Sequence, residues 1–217
     1  GKVSIEGEIS DIQTIDNECQ EKELGLIYVF AEHTRDNINA LYQNGYQYLT
    51  SKSNYVKPIQ PELETENLNK IAYTDYQSQY TDLERLVHMV GTHSRYYLDP
   101  QDSTGWQAIY SQWALNAVNG YADKIITANK DDQTVGFIFV KKSGETASID
   151  LIGTDCDYQK KGIGNNLSLK AEQWALSNGC KKMTVCTEAE NLAAQRLYQR
   201  RGYIIEKHNL VFIKHFL

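Results

Sequence analysis

The chain has 217 residues, 41% of them hydrophobic, with a formal net charge of −6, which is room for one large domain or an ordinary one with a smaller companion. The acidic balance excludes a general nucleic-acid binder, although Lys160-Lys161 is a local basic spot. No apolar run approaches the length of a membrane span and no signal peptide is visible, so a cytoplasmic protein without a membrane partner is expected.

The first apolar run, Gly25–Ala31, is rich in β-formers and reads as a buried strand. Thr34–Asn44 reads as a helix ended by Gly45, and Tyr46–Thr50 as the next strand. Ser51–Asn69, with Pro58, Pro61 and an acidic cluster, reads as a linker. Residues 1–66 are therefore assigned to a small N-terminal α/β domain with its linker, and 67–217 to the main domain. The run Ala40–Tyr46 is similar to Arg196–Tyr203, both being helix ends that pass through a glycine into a strand. Chance recurrence of that punctuation and a half-copy of the main fold without its ligand loop are both open readings.

In the main domain, Thr81-Asp-Leu-Glu84 is a capping box for a helix to about Val90. A loop, His93–Asp102, leads to a helix capped by Ser103 or Thr104. Its Trp106, Ile109, Tyr110, Trp113, Ala117 and Val118 recur at helical spacing until Gly120. Strands follow at about Lys124–Asn129, Val135–Lys141 and Ala147–Thr154, joined by short turns. A helix from about Gly162 to Asn178, a strand Lys182–Thr187, a helix Asn191–Arg200 and strands Tyr203–Glu206 and Leu210–His215 complete the chain. The fold class is α/β, a mixed sheet with helices on its faces. Cys19, Cys156, Cys180 and Cys186 form no C-x-x-C pair and no zinc spacing, so reduced thiols and no metal are expected, with Cys180 and Cys186 as packing residues.

Two segments carry chemistry. Gln159-Lys160-Lys161-Gly162-Ile163-Gly164-Asn165 joins a strand to a helix. A pyrophosphate needs converging N–H donors, and a helix N-terminus offers unpaired amides and the positive end of a dipole. Gly162 and Gly164 permit close approach and unusual φ, and the two lysines add charge at the rim. A plain tight turn is the alternative. The segment is not the dinucleotide fingerprint, because the third glycine is missing, nor a nucleoside-triphosphate loop, because no Gly-Lys-Ser/Thr follows. In the second segment, Asn191, Ala194 and Tyr198 share one helix face. Asn191 can cap the helix and bond a ligand, Ala194 leaves room, and Tyr198 can give a proton to a leaving thiolate. A core aromatic is the alternative for Tyr198.

These residues, Gln159–Gly164 and Asn191-x-x-Ala-x-x-Leu-Tyr198-x-x-x-Gly202-Tyr203, resemble the GCN5-related N-acetyltransferase (GNAT) superfamily over about Lys70 to Leu217. The resemblance implies acetyl-CoA as co-substrate. It implies a strand Ile149–Gly153 splayed from Lys182–Thr187, with Leu151 and Ile152 offering backbone groups to the pantetheine arm. Loop 159–165 would hold the pyrophosphate, Asn191 would contact the coenzyme, and Tyr198 would act as general acid. The segment His93–Pro100 and the helix around Trp106 are similar to the dTDP-fucosamine N-acetyltransferases, although Leu197 stands where that family carries a basic residue. That similarity implies a nucleotide-linked amino sugar as acceptor. Arg95 would pair with a diphosphate, and Tyr96, Tyr97 or Trp106 would stack on a base or sugar face, with His93 in the same loop. An apolar helix stripe is the alternative for Trp106, Tyr110 and Trp113.

The reaction expected is direct attack of a primary amine in a ternary complex, since no cysteine has a histidine partner for a covalent acyl-enzyme. Glu188, His93 and a water are the open choices for general base. Other readings are a GNAT acting on a protein N-terminus, lysine or polyamine, and a non-catalytic acyl-CoA-binding module. A homodimer is compatible with the sequence.

Overall fold

The computed structural model describes residues 2–4, 12–61, 71–77, 80–102 and 104–216. The strands are β1 (Lys2–Ser4), β2 (Leu26–Ala31), β3 (Gln47–Pro58), β4 (Ala72–Asp75), β5 (Lys124–Lys130), β6 (Gln133–Ser143), β7 (Thr146–Thr154), β8 (Lys182–Glu188) and β9 (Ile204–His215). They form a mixed 9-stranded sheet in the order β1-β2-β9-β3-β8-β7-β6-β5-β4. The helices are α1 (Ile12–Glu21), α2 (Arg35–Gln43), α3 (Tyr80–Gly91), α4 (Gly105–Asn116), α5 (Ile163–Ser177) and α6 (Leu192–Arg200). The mixed α/β architecture expected from the sequence is the one observed.

Several local readings need correction. The first eight residues of the supposed linker, Ser51–Pro58, are the last two thirds of the 12-residue strand β3, which lies between β9 and β8. Their polar character has a cause: Ser53 Oγ lies 2.8 Å from His208 Nδ1, and Ser51 Oγ lies 2.9 Å from the Tyr48 hydroxyl. The two expected final strands are one continuous strand, β9. α1 and β4 were not foreseen. The helix start at 103–104 is capped by neither candidate in the expected way. Ser103 lies outside the described residues, and the Thr104 side chain makes no cap bond. Asp102 Oδ1 instead accepts from the Thr104 and Gly105 amides, at 3.2 and 2.6 Å. Glu84 accepts from Ser111 Oγ at 2.7 Å, outside its expected capping box. The boundary read at 66/67 falls outside the described residues, and chain from both sides of it shares the one sheet.

The sheet contains an internal repeat. β2-α2-β3 and β8-α6-β9 follow the same course, and their landmarks recur at a constant offset: Thr34 and Asn191 cap the helices, Gly45 and Gly202 end them, and Tyr46 and Tyr203 immediately precede the strands. Both helix ends are closed by the same bond across the turn, Tyr46 N–H to Leu41 O and Tyr203 N–H to Tyr198 O, each 3.0 Å. Both glycines sit in the left-handed region, at φ +79° and +82°, which residues with a Cβ avoid. The central pairing of β3 with β9 runs from Gln47↔Ile213 to Val56↔Ile204, so exchanging the repeats maps it onto itself. The sequence alignment of Leu-Tyr-Gln in the two helices is out of register by one residue. Structurally, Leu41 occupies the place of Tyr198.

Alternation along the strands divides the core. Ile27, Val29, Ala31, Leu210 and Phe212 pack with Ile12, Cys19 and Leu41 from α1 and α2. Their neighbours Tyr28, Phe30, Val211 and Ile213 face the other way and meet Tyr96 from the α3–α4 loop. α5 and α6 cover a cluster that includes Tyr55, Val185 and Tyr198, and α3 and α4 cover Phe137 and Phe139.

Candidate active site

α6 owes its start to Asn191, whose Oδ1 accepts from the Ala194 amide at 3.1 Å. Two turns later Tyr198 is buried between the rings of Tyr55 and Tyr203, with centroids 5.6 and 5.8 Å away. Burial pushes its phenol well above the ordinary tyrosine pKa, with further contributions from Cys186, Tyr55 and Glu188. Burial thus favours the protonated form of the hydroxyl.

β7 and β8 run parallel and pair from Thr146↔Lys182 to Ile149↔Val185. Beyond that point β8 continues with β3 and β7 with β6, so a gap opens between them. The register of β7 on β6 slips between Ile149 and Leu151, and Asp150 is left without a cross-strand partner. A cleft occupies the gap, with Leu151, Ile152, Asn191, Ala194 and Tyr198 on its lining.

At the top of β7, Asp155 caps a short 3-10 turn through the Asp157 amide and is paired with Arg85 Nη1 at 2.5 Å. Loop 159–165 follows. Lys160 and Gly162 have left-handed φ of +60° and +79°. The first backbone bond of α5 is Asn166 N–H to Gly162 O, so the amides of Ile163, Gly164 and Asn165 have no carbonyl partner within the helix. Ile163 is buried and packs into the core beneath α5. A Cβ on Gly164 would come 3.4 Å from Leu197 Cδ2, so the tyrosine helix packs directly against this turn. Lys161 Nζ folds back on the Asp157 carbonyl at 2.8 Å. Gln159, Lys160, Lys161, Gly162 and Asn165 are exposed. These features fit an anion such as a pyrophosphate held on backbone amides.

The opposite wall comes from the α3–α4 loop and, unforeseen, from the first repeat. Arg95 pairs with Glu188 at 3.2 Å and lies over the rings of Tyr96, Phe30 and Tyr28, at 4.2, 5.5 and 5.7 Å. Its Nε is buried and has no hydrogen-bond partner among the described residues. Lys52, directly across from Glu188 on β3, also lines the cleft. The loop is tied to the first repeat by buried Asp99, which meets His215 Nε2 at 3.1 Å and accepts from the Tyr28 hydroxyl at 3.3 Å. Trp113 Nε1 donates to Asp150 at 3.5 Å, and burial raises the Asp150 carboxyl pKa, the indole bond offsetting it in part.

The structure thus gathers Leu151, Ile152, Asn191, Ala194, Tyr198, His93, Arg95 and Tyr96 around one cleft. Trp106 is placed elsewhere, 7% exposed in the core under α3 and α4, as the apolar-stripe alternative had it. Tyr97 is exposed and meets Trp106 edge-on at 5.5 Å, away from the cleft lining. Cys180 is buried as expected, but Cys186 is exposed on the cleft wall. Asp150 and Lys52 were not foreseen as site residues. Asp150 had a signal, being the lone carboxylate inside the strand Ala147–Thr154. Lys52 had none once its strand was read as linker.

The Acetyltransferase (GNAT) family model matches residues 80–203. "Spore coat polysaccharide biosynthesis protein SpsD" of Bacillus subtilis is 26% identical over 117 residues, 54% of this chain and 40% of that protein. "N-alpha-acetyltransferase 30" of Xenopus laevis is 26% identical over 149 residues, 65% of this chain and 50% of that protein. The chain thus spans half or less of the length of these curated relatives. The crystal structure of a GCN5-related N-acetyltransferase from Sphaerobacter thermophilus superposes with a TM-score of 0.70 at 13% identity, covering 94% of this chain and 66% of that one. No helix among the described residues is long and apolar enough to cross a membrane. With more than half of its length matched by the family model, the chain belongs to the GNAT family of acetyltransferases.

Proposed function

We propose that this chain is an acetyl-CoA-dependent N-acetyltransferase acting on a primary amine, with a nucleotide-linked amino sugar as its acceptor. The observation that carries the reading is the cleft at the β7–β8 gap, where a proton-holding tyrosine meets a separate polar wall. Residues 67–217 hold the catalytic groups, and residues before 66 complete the acceptor side. Acetyl-CoA, when bound, supplies the acetyl thioester. The backbone of Leu151 and Ile152 lines its path, the amides of loop 159–165 hold its phosphates, and Asn191 contacts it beside Ala194. No metal is needed for this chemistry.

Tyr198 gives its hydroxyl proton to the departing sulfur. Of the groups on the cleft, Glu188 is engaged with Arg95, whereas Asp150 has no cation paired with it among the described residues. Asp150 takes the proton from the attacking amine. Its raised pKa brings it nearer to neutrality, which suits a general base. The amino-sugar assignment rests on the His93–Tyr96 loop and on the similarity to a polysaccharide biosynthesis protein. A peptide N-terminus is the second reading, favoured by the equal identity to an N-alpha-acetyltransferase.

The test is thiol release from acetyl-CoA with TDP- and UDP-amino sugars, polyamines and peptides as acceptors. Turnover is expected with the nucleotide-linked amines. Turnover with peptides alone would move the assignment to the second reading. Thermal stabilisation by acetyl-CoA with no turnover of any amine would leave a binding module.

A further inference from the structure

The acceptor wall carries an excess of positive charge. Lys52 and Arg95 are both on the cleft, and one carboxylate, Glu188, lies between them. Arg95 takes Glu188, and Lys52 forms no ion pair among the described residues. The next carboxylate along the chain, Glu190, is engaged by Thr50 Oγ1 at 2.5 Å and does not line the cleft. Lys52 lines the cleft, and its Nζ rests 5.9 Å from the centre of the Phe30 ring. The buried Arg95 Nε–H is a donor without an acceptor among the described residues. Such a group is costly to leave unmatched, and a ligand acceptor would satisfy it. Across the gap, Asp150 forms no ion pair among the described residues, although Lys141 is near enough to act on it. A ligand complementary to both sides has a negative group at Lys52 and an amine at Asp150.

We propose that the acceptor is an anionic amine whose phosphoryl or carboxylate group is held by Lys52, so that the first repeat, which lacks the catalytic tyrosine, sets the charge of the substrate. Resting on the acetyl-transfer reading, the proposal adds the charge of the acceptor and a residue that selects it. It also relocates the anion: Arg95, expected from the sequence to hold a diphosphate, is already engaged by Glu188, and Lys52 is the uncommitted cation beside it. Since Lys52 stands on a strand paired on both edges, its position is fixed by the sheet rather than by a loop.

Pyrophosphate and malonate, titrated calorimetrically into CoA-saturated protein, test this without requiring turnover. At least one is expected to bind, and the tighter of the two identifies the acid class. Lys52→Met should weaken that binding about tenfold or more, and Lys52→Arg should restore it. In the thiol-release assay, a phosphorylated or carboxylated amine should exceed its matched neutral amine in kcat/KM by about tenfold, and Lys52→Met should bring the two within about threefold, mainly through KM. Absence of anion binding in the native protein, or binding and preference that survive Lys52→Met, would overturn the proposal while acetyl transfer stood. Lys52-dependent anion binding without turnover of any amine would uphold it as a site while the acetyl-transfer reading fell.

Discussion

The two repeats share their buried polar fastening and differ in their chemistry. In the first, Asp16 on α1 accepts from the Tyr46 hydroxyl at 2.7 Å and pairs with Lys214 at 2.5 Å. In the second, Glu172 on α5 accepts from the Tyr203 hydroxyl at 3.3 Å and pairs with Lys57 at 2.8 Å. The lysines are exchanged: Lys57 lies on the strand of the first repeat and Lys214 on that of the second. Each lysine also lies over the tyrosine of the repeat it serves. By contrast, Leu41 fills the place of Tyr198, and Thr34 that of Asn191. What holds the repeats together is built twice, and the tyrosine proposed to protonate sulfur is built once.

The largest expected effect tests whether the fastenings are equivalent. Glu172 has no side-chain exposure and answers two cations, since Arg201 Nη2 also pairs with it at 2.6 Å. Removing one partner of a buried ion pair leaves the other charge uncompensated and costs about 3–5 kcal/mol. Glu172→Ala should therefore lower denaturant stability by about that amount. Asp16→Ala should cost less, because Lys214 is the one cation stranded there among the described residues and it is 22% exposed. Equal losses would mean that the second cation at Glu172 contributes nothing.

The next effect separates the repeats by function. Tyr198→Phe should lower kcat by about 10²-fold or more, the usual contribution of a positioned acid, with little change in coenzyme affinity. Full activity would return Tyr198 to the role that Leu41 has, a packing residue. The same assay reports on Asp150. A base must be deprotonated, and its pKa is raised by burial, so kcat/KM should fall as pH drops through a value above the ordinary carboxylate range. Asp150→Asn should remove that acid limb and most of the rate. An unchanged acid limb in Asp150→Asn would assign the titration to another group.

Much of this was legible because local rules and global fold agree. Gly162, Gly164, Asn191 and Tyr198 announce themselves through a turn, a cap and a helical spacing, all short-range signals. Ser51–Pro58 was not legible because its burial depends on partners far along the chain, His208 among them, which make serines acceptable inside a sheet. Lys52 was lost with that strand. Trp106 and Tyr97 were overread: aromatic residues near an arginine suggest a ligand face, but which of them the fold buries depends on α3, over which Trp106 packs. The repeat was visible at Gly45 and Gly202, yet its register was not, because the one-residue offset of Leu-Tyr-Gln is resolved only by the bonds that close the two helix ends.

The smallest effect is the most discriminating between the repeats. Thr34 Oγ1 accepts from the Asn37 amide at 3.2 Å, as Asn191 Oδ1 does from Ala194. Each cap should contribute about 1 kcal/mol, so Thr34→Ala and Asn191→Ala should lower stability by similar amounts. If Asn191 also serves the coenzyme, its remaining amide NH₂ is the group that does so, because its oxygen is held by the helix. Asn191→Asp keeps the capping oxygen and removes that donor. It should fold with near-native stability while the KM for acetyl-CoA rises several-fold, and Thr34→Ala should leave that KM unchanged. Native coenzyme KM in Asn191→Asp would make the two caps equivalent and confine the second repeat's distinction to Tyr198 and the loop before α5.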